Sequence, residues 1–137
     1  MESSSKVVLD TNIFISALIH PGKARDFVYL LLERGATIII SSFIINEVEE
    51  VLARSKFQDK KIFRDLWQLI KKEVEIVEIK PLISSIILRD PEDHPILQTA
   101  EKGGAKYIIT GDDDLLEIAK WKDVNILSMN QFKNLLK

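Results

Sequence analysis

Two spacings of apolar residues alternate along this chain. Short unbroken apolar runs, Val7-Val8-Leu9, Ile38-Ile39-Ile40 and Tyr107-Ile108-Ile109, are separated by longer stretches in which apolar residues recur three and four positions apart. An apolar run rich in β-branched residues and closed by polar ones is the pattern of a strand buried on both faces, whereas recurrence at three and four is that of a helix with one apolar stripe. The runs predict strands ending at Leu9, over 36–41, 74–79 and 106–110, and over 125–128. The spaced segments predict helices over 13–19, 23–34, 42–54, about 57–73, from the Pro95 region to Gly103-Gly104, over 115–120 and over 130–136. His20-Pro21-Gly22 is a turn signal, and Gly35 stands where a helix C-terminal glycine is expected. The segment Leu82 to Leu88 fits either a short helix or an irregular apolar stretch.

Strands alternating with helices from one end to the other predict an α/β fold with a parallel sheet covered on both faces. No linker, internal repeat or low-complexity tract interrupts the pattern, so residues 1–137 are expected to form one domain. A chain of 137 residues buries roughly two-thirds of the surface its unfolded form exposes, enough for a core without covalent staples. It contains no cysteine, which removes disulfides and thiolate metal sites and makes the cytoplasm the expected compartment. No apolar stretch approaches the roughly 20 residues a membrane span needs. With 19 basic and 21 acidic residues the net charge is −2, so a nucleic-acid partner would have to be held by a local basic patch.

The informative residues are acids in places where acids need a reason. Asp10 closes the first apolar run and Asp112 follows the fourth, so both fall at carboxyl ends of strands, where open α/β sheets bind ligands. Asp10 or Asn12 could equally cap the following helix. Glu47 lies inside the apolar arc formed by Phe43, Ile44, Val48, Val51 and Leu52 at 100° per residue; a salt bridge to a nearby Lys or Arg is its plain explanation. Asp93 is in phase with Ile96, Leu97 and Ala100, and helix capping is its plain explanation, supported by Pro95 in the first turn. His94 turns away from that stripe and reads as surface. Asp114 stands one step behind Asp112.

Carboxylates gathered in one crevice repel one another and call for a counter-charge. Oxygen-only donors with no cysteine and no evident histidine select Mg2+ or Mn2+ over zinc, and such ions keep room for waters and a phosphate oxygen. The chemistry that follows is phosphodiester hydrolysis by an in-line water, with one or two ions offsetting the developing negative charge.

Four segments, Val8-Leu9-Asp10-Thr11-Asn12, Asn46-Glu47-Val48, Arg89-Asp90-Pro91-Glu92-Asp93 and Ile109-Thr110-Gly111-Asp112-Asp113-Asp114-Leu115-Leu116, occur in an order and spacing that resembles the PIN-domain ribonucleases, specifically those found as toxins in prokaryotic toxin–antitoxin pairs. The resemblance implies a three-layer α/β/α fold with five parallel strands in the order 3-2-1-4-5. It implies Mg2+- or Mn2+-dependent endonucleolytic cleavage of single-stranded RNA, with Asp10, Glu47, Asp93 and Asp112 as catalytic metal ligands and Asp114 as an additional acid. Thr11, Asn12 and Thr110 match polar residues that support the site by orienting the carboxylates. A homodimer and a small antitoxin partner are further implications. The chain departs from the pattern at His94, where close relatives often carry a second acid, and Asp93 rather than Asp90 is assigned on phase. Lys23, Arg25, Arg54, Lys56 and Arg89 are candidate RNA contacts because their segments adjoin the proposed site. The competing readings are a module with this fold that binds RNA or protein with weak or no cleavage, and a phosphatase using Asp10 as nucleophile. The latter generally wants an acid two positions later, where this chain has Asn12.

Overall fold

A computed structural model describes residues 5–54, 60–79 and 94–136. The first apolar run forms β1 (Lys6–Leu9), with Val7, Val8 and Leu9 fully buried. After it come α1 (Thr11–Ile19), α2 (Lys23–Glu33), β2 (Thr37–Ser41), α3 (Ser42–Arg54), α4 (Lys60–Glu73), β3 (Glu75–Val77) and α5 (Pro95–Gly103). The chain continues through β4 (Tyr107–Ile109), α6 (Asp113–Ile118), β5 (Lys120–Trp121), β6 (Val124–Leu127) and α7 (Met129–Leu135).

The strands lie in the order β3-β2-β1-β4-β6-β5. β1 is flanked by β2, with Val8 opposite Ile39, and by β4, with Val8 opposite Ile108; both pairings are parallel. The expected order 3-2-1-4-5 holds for the parallel strands, the expected fifth strand being β6. The sixth strand, β5, is a two-residue addition that pairs antiparallel with β6 at the edge. Apolar runs could not announce it, because Lys120 and Trp121 follow no buried pattern.

Progression outward from β1 to β3 and return to β4 make the gap between β1 and β4 the point where the chain changes direction across the sheet. Right-handed crossovers then place α1 to α4 on one face and α5 on the other. On the first face Phe14 of α1 meets Trp67 of α4 edge-on at 5.8 Å, and Phe27 of α2 meets Phe132 of α7 at 6.0 Å. These aromatics belong to one connected core that runs from Val7 to Phe132.

On the opposite face α5 is pressed unusually close to the sheet. A Cβ on Gly103 would stand 2.5 Å from Cγ2 of Ile39, so only glycine allows this approach. One turn nearer its N-terminus, the Thr99 hydroxyl donates to the Pro95 carbonyl and hydrogen-bonds the Ser41 hydroxyl at the carboxyl end of β2, over 2.8 Å. Thus α5 runs against the strands, and its N-terminus sits over their carboxyl edge. Among the described residues no helix is long and apolar enough to cross a membrane.

Candidate active site at the carboxyl edge of the sheet

Asp10 leaves β1 in an extended conformation and occupies the N-cap position of α1, yet its side chain makes no capping hydrogen bond. Its Oδ2 instead accepts from the Thr110 hydroxyl across the gap between β1 and β4, at 2.7 Å. The same hydroxyl oxygen accepts from the backbone N–H of Asp112 at 2.9 Å. Thr110 is 1% exposed, so a buried hydroxyl with both roles fixed ties Asp10 to the backbone that carries Asp112. The capping explanation for Asp10 is therefore set aside by geometry.

Asp112 is itself an N-cap, of α6. Its Oδ1 accepts from the backbone of Asp114 at 2.8 Å and of Leu115 at 3.4 Å. One carboxylate oxygen is thereby anchored, and the residue as a whole stays exposed. Asp114 contributes its backbone to this cap and exposes its side chain on the first turn.

Glu47 projects from α3 half-buried, and its Oε1 accepts from the Thr11 hydroxyl at 2.8 Å. Thr11 is buried at the start of α1, immediately after Asp10. Among the described residues, no Lys or Arg forms an ion pair with Asp10, Glu47 or Asp112. The salt bridge that would have explained Glu47 plainly is absent from this set, and a threonine stands in its place.

His94 differs from its sequence reading. It is half-buried, it is the N-cap of α5, and its Nδ1 accepts from the backbone N–H of Ile96 at 3.1 Å. Burial pushes the imidazole below its ordinary value, while the negative charges of Asp10, Asp112 and Glu47 act to raise it. His94 therefore lies within the electrostatic field of all three acids. Helical phase misassigned it because an N-cap has extended backbone and lies outside the helix it starts, so the 100° rule does not govern where it points. The signal available in the sequence was the pair His94-Pro95, a capping side chain before a first-turn proline. Asp93 and Asp90 lie outside the described residues.

The donor set fits a hard divalent ion. Its donors are carboxylate oxygens, positioned by threonine hydroxyls and left without a paired cation among the described residues. No three His, Asp or Glu side chains of the described residues stand close enough together to ligate one ion. An ion held here would therefore take one or two of these carboxylates and fill the rest of its shell with waters, as Mg2+ does.

The candidate RNA contacts separate. Lys23 is exposed at the start of α2, and Arg54 is exposed at the end of α3, the helix that carries Glu47. Arg25 is spent on structure instead: its Nε donates to the carbonyl of Ala17 at 2.7 Å and its second nitrogen to that of Leu18 at 3.0 Å, closing the C-terminal end of α1. Lys56 and Arg89 lie outside the described residues. Asn12 is exposed at the mouth of a groove described below.

Comparison with known proteins decides the lineage. The model of the family described as PIN domain matches residues 6–114. The chain belongs to the PIN domain family. It is also 31% identical over 122 residues to an uncharacterised protein of Methanocaldococcus jannaschii, MJ1680, an alignment covering 82% of this chain and 74% of that protein. Among solved structures, this PIN domain is similar to VapBC2 from Rickettsia felis, crystallised bound to a DNA fragment from its promoter. The TM-score is 0.61 at 20% identity, with 88% of this chain and 96% of that chain covered. It is also similar to PAE2754 from Pyrobaculum aerophilum, at TM-score 0.57 and 18% identity, over 98% of this chain and 90% of that one. These two likenesses establish the shared fold. The family match spans Asp10, Glu47, Asp112 and Asp114 and stops before β5, β6 and α7.

Proposed function

We propose that this PIN domain is an endoribonuclease that hydrolyses phosphodiester bonds of single-stranded RNA with Mg2+ or Mn2+, and that it is the toxin of a toxin–antitoxin pair. The observation that carries the reading is the Asp10–Thr110–Asp112 linkage at the β1–β4 switch point, with Glu47 held by Thr11, the residue after Asp10, and no Lys or Arg paired to these acids among the described residues. PIN domains are generally nucleases, and open α/β sheets place ligands at this edge.

In this reading Asp10, Glu47, Asp112 and Asp93 hold one or two ions, with Asp114 as an outer acid. When bound, such an ion makes an attacking water more acidic and offsets charge on the phosphoryl oxygens. The chain's own residues do the rest. Thr110 donates to one oxygen of Asp10 and Thr11 to one oxygen of Glu47, restraining each carboxylate while its other oxygen stays available to an ion. The bond from Ile96 occupies Nδ1 of His94, which assigns the proton of the neutral ring to Nε2 and leaves one donor for a phosphate oxygen or a water. Lys23 and Arg54 supply local positive charge that the overall balance lacks.

The partners proposed are a small antitoxin protein and a second copy of this chain. Self-association is supported by Ile62 and Leu69 of α4 and Ile76 of β3, which are 56%, 60% and 52% exposed.

The test is cleavage of end-labelled single-stranded RNA. Cuts that need Mg2+ or Mn2+ and vanish in EDTA and in Asp10→Asn support the reading. RNA bound but left uncut under every metal condition would favour the binding module. Trapping of a phospho-aspartate at Asp10 would favour the phosphatase.

A further inference from the structure

Beside the acids opens a groove of about 400 Å3, and we propose that it receives the unpaired base adjoining the scissile phosphate. The inference rests on the nuclease reading and adds to it a specificity pocket. The groove is continuous with the acidic site, because Thr110, whose hydroxyl holds Asp10, lines its wall. Its floor is apolar, formed by Ile13 of α1, Ala24 of α2 and Met129 at the start of α7. Asn12 and Asn130 stand at its rim with Lys23. Neither amide nor the lysine makes a hydrogen bond or ion pair with another described residue.

This combination matches a nucleobase better than other occupants. The volume is at the small end for ligand pockets. An apolar floor takes a flat ring face, and each amide offers one acceptor and paired donors to a base edge. Such edges are open to protein in single strands and closed off in A-form duplexes. Lys23 adds a point charge for the neighbouring phosphate. Ser128, Met129 and Asn130 lie beyond the span matched by the family model.

The experiment is an NMR titration of the isotopically labelled full-length chain in EDTA, where no cleavage occurs. Its probes are random-sequence single-stranded RNA hexamers and, separately, the four nucleoside 5′-monophosphates. The side-chain amide signals of Asn12 and Asn130 and the Met129 methyl should shift together and saturate, with one base favoured among the four. Asn130→Ala, at an exposed position, should keep the wild-type fold by its spectrum. It should weaken binding of the favoured base by about 5-fold or more, flattening the preference. Lys23→Ala should weaken all four bases alike and lower the salt slope of hexamer binding by about one. Unmoved groove signals would overturn the proposal. So would shifts confined to the groove between α3 and α4 around Leu52, Phe63 and Trp67, or an Asn130→Ala protein with undiminished preference. Shifts in the groove from a protein that cuts no RNA would retain the pocket and discard the nuclease. Metal-dependent cutting with a silent groove would do the reverse.

Discussion

Thr110 shows how much a single buried hydroxyl can organise. Its donated bond fixes Asp10 and its accepted bond fixes the backbone of Asp112, so Thr110→Val, nearly identical in shape, removes both. The variant should lose about 1–3 kcal/mol of stability, because the Asp112 N–H is left without its partner. It should also lose about 10- to 100-fold in metal affinity or cleavage, as when residues that orient metal ligands are removed. Thr110→Ser keeps the hydroxyl and should retain most of both; denaturant titration and a metal-binding isotherm read the two effects separately. Asp10 and Glu47 were legible in the sequence because each broke an apolar pattern, at a strand end and inside a helical stripe. His94 was not, because its orientation comes from a cap bond to Ile96 and from the placement of a whole helix, neither of which periodicity encodes. The structural bonds of Arg25 were hidden for a related reason: proximity in sequence to the site says nothing about carbonyls left open at the end of α1.

That placement depends on α5 lying close against the sheet. Gly103→Ala would drive a methyl into Cγ2 of Ile39, a β-branched side chain with little freedom to move aside. A loss of about 1–3 kcal/mol is expected, read as a lower denaturation midpoint. α3 and α4 are joined differently. The Lys71 ammonium and the Trp67 indole N–H both donate to Oε2 of Glu49, at 2.8 and 3.0 Å, and Lys71 foremost holds this carboxyl below its usual value of 4.5. A lowered folded value means the stabilisation is complete above about pH 4.5 and disappears as pH falls through the folded value. Glu49→Gln should therefore cost a few tenths of a kcal/mol at neutral pH, the pair being largely exposed, and the difference from wild type should close in acid. Melting curves across pH 3–7 check it. The strands that carry three or more consecutive buried residues, β1, β2 and β4, could be read directly from apolar runs, and β6 nearly so. β3 shrank from the expected 74–79 to Glu75–Val77, where two of three residues are exposed, and β5 exists through pairing with β6 alone. Edge strands depend on neighbours, and apolar patterning does not report neighbours.

Across the whole molecule, the order β3-β2-β1-β4-β6-β5 brings together residues separated by up to about a hundred positions, such as Asp10 and Thr110. Alternation of strands and helices was enough to predict a parallel sheet; which strands adjoin β1 came from resemblance to a family, since several orders satisfy the same alternation. Ile62, Leu69 and Ile76 are exposed and make no part of the acid linkage, and replacing Ile62 and Leu69 by Lys should shift sedimentation toward monomer while metal binding persists. The central claim is that a divalent ion binds at the β1–β4 edge on one or two of the acids Asp10, Glu47 and Asp112, with waters completing its shell. Titration of Mn2+ into the labelled protein, followed by paramagnetic broadening of backbone amide signals, tests this most directly. The account predicts that signals of Asp10, Thr11, Glu47, His94 and residues 110–114 broaden first and together, and that Asp10→Asn abolishes the effect. Broadening centred elsewhere, or unchanged by Asp10→Asn, would contradict it.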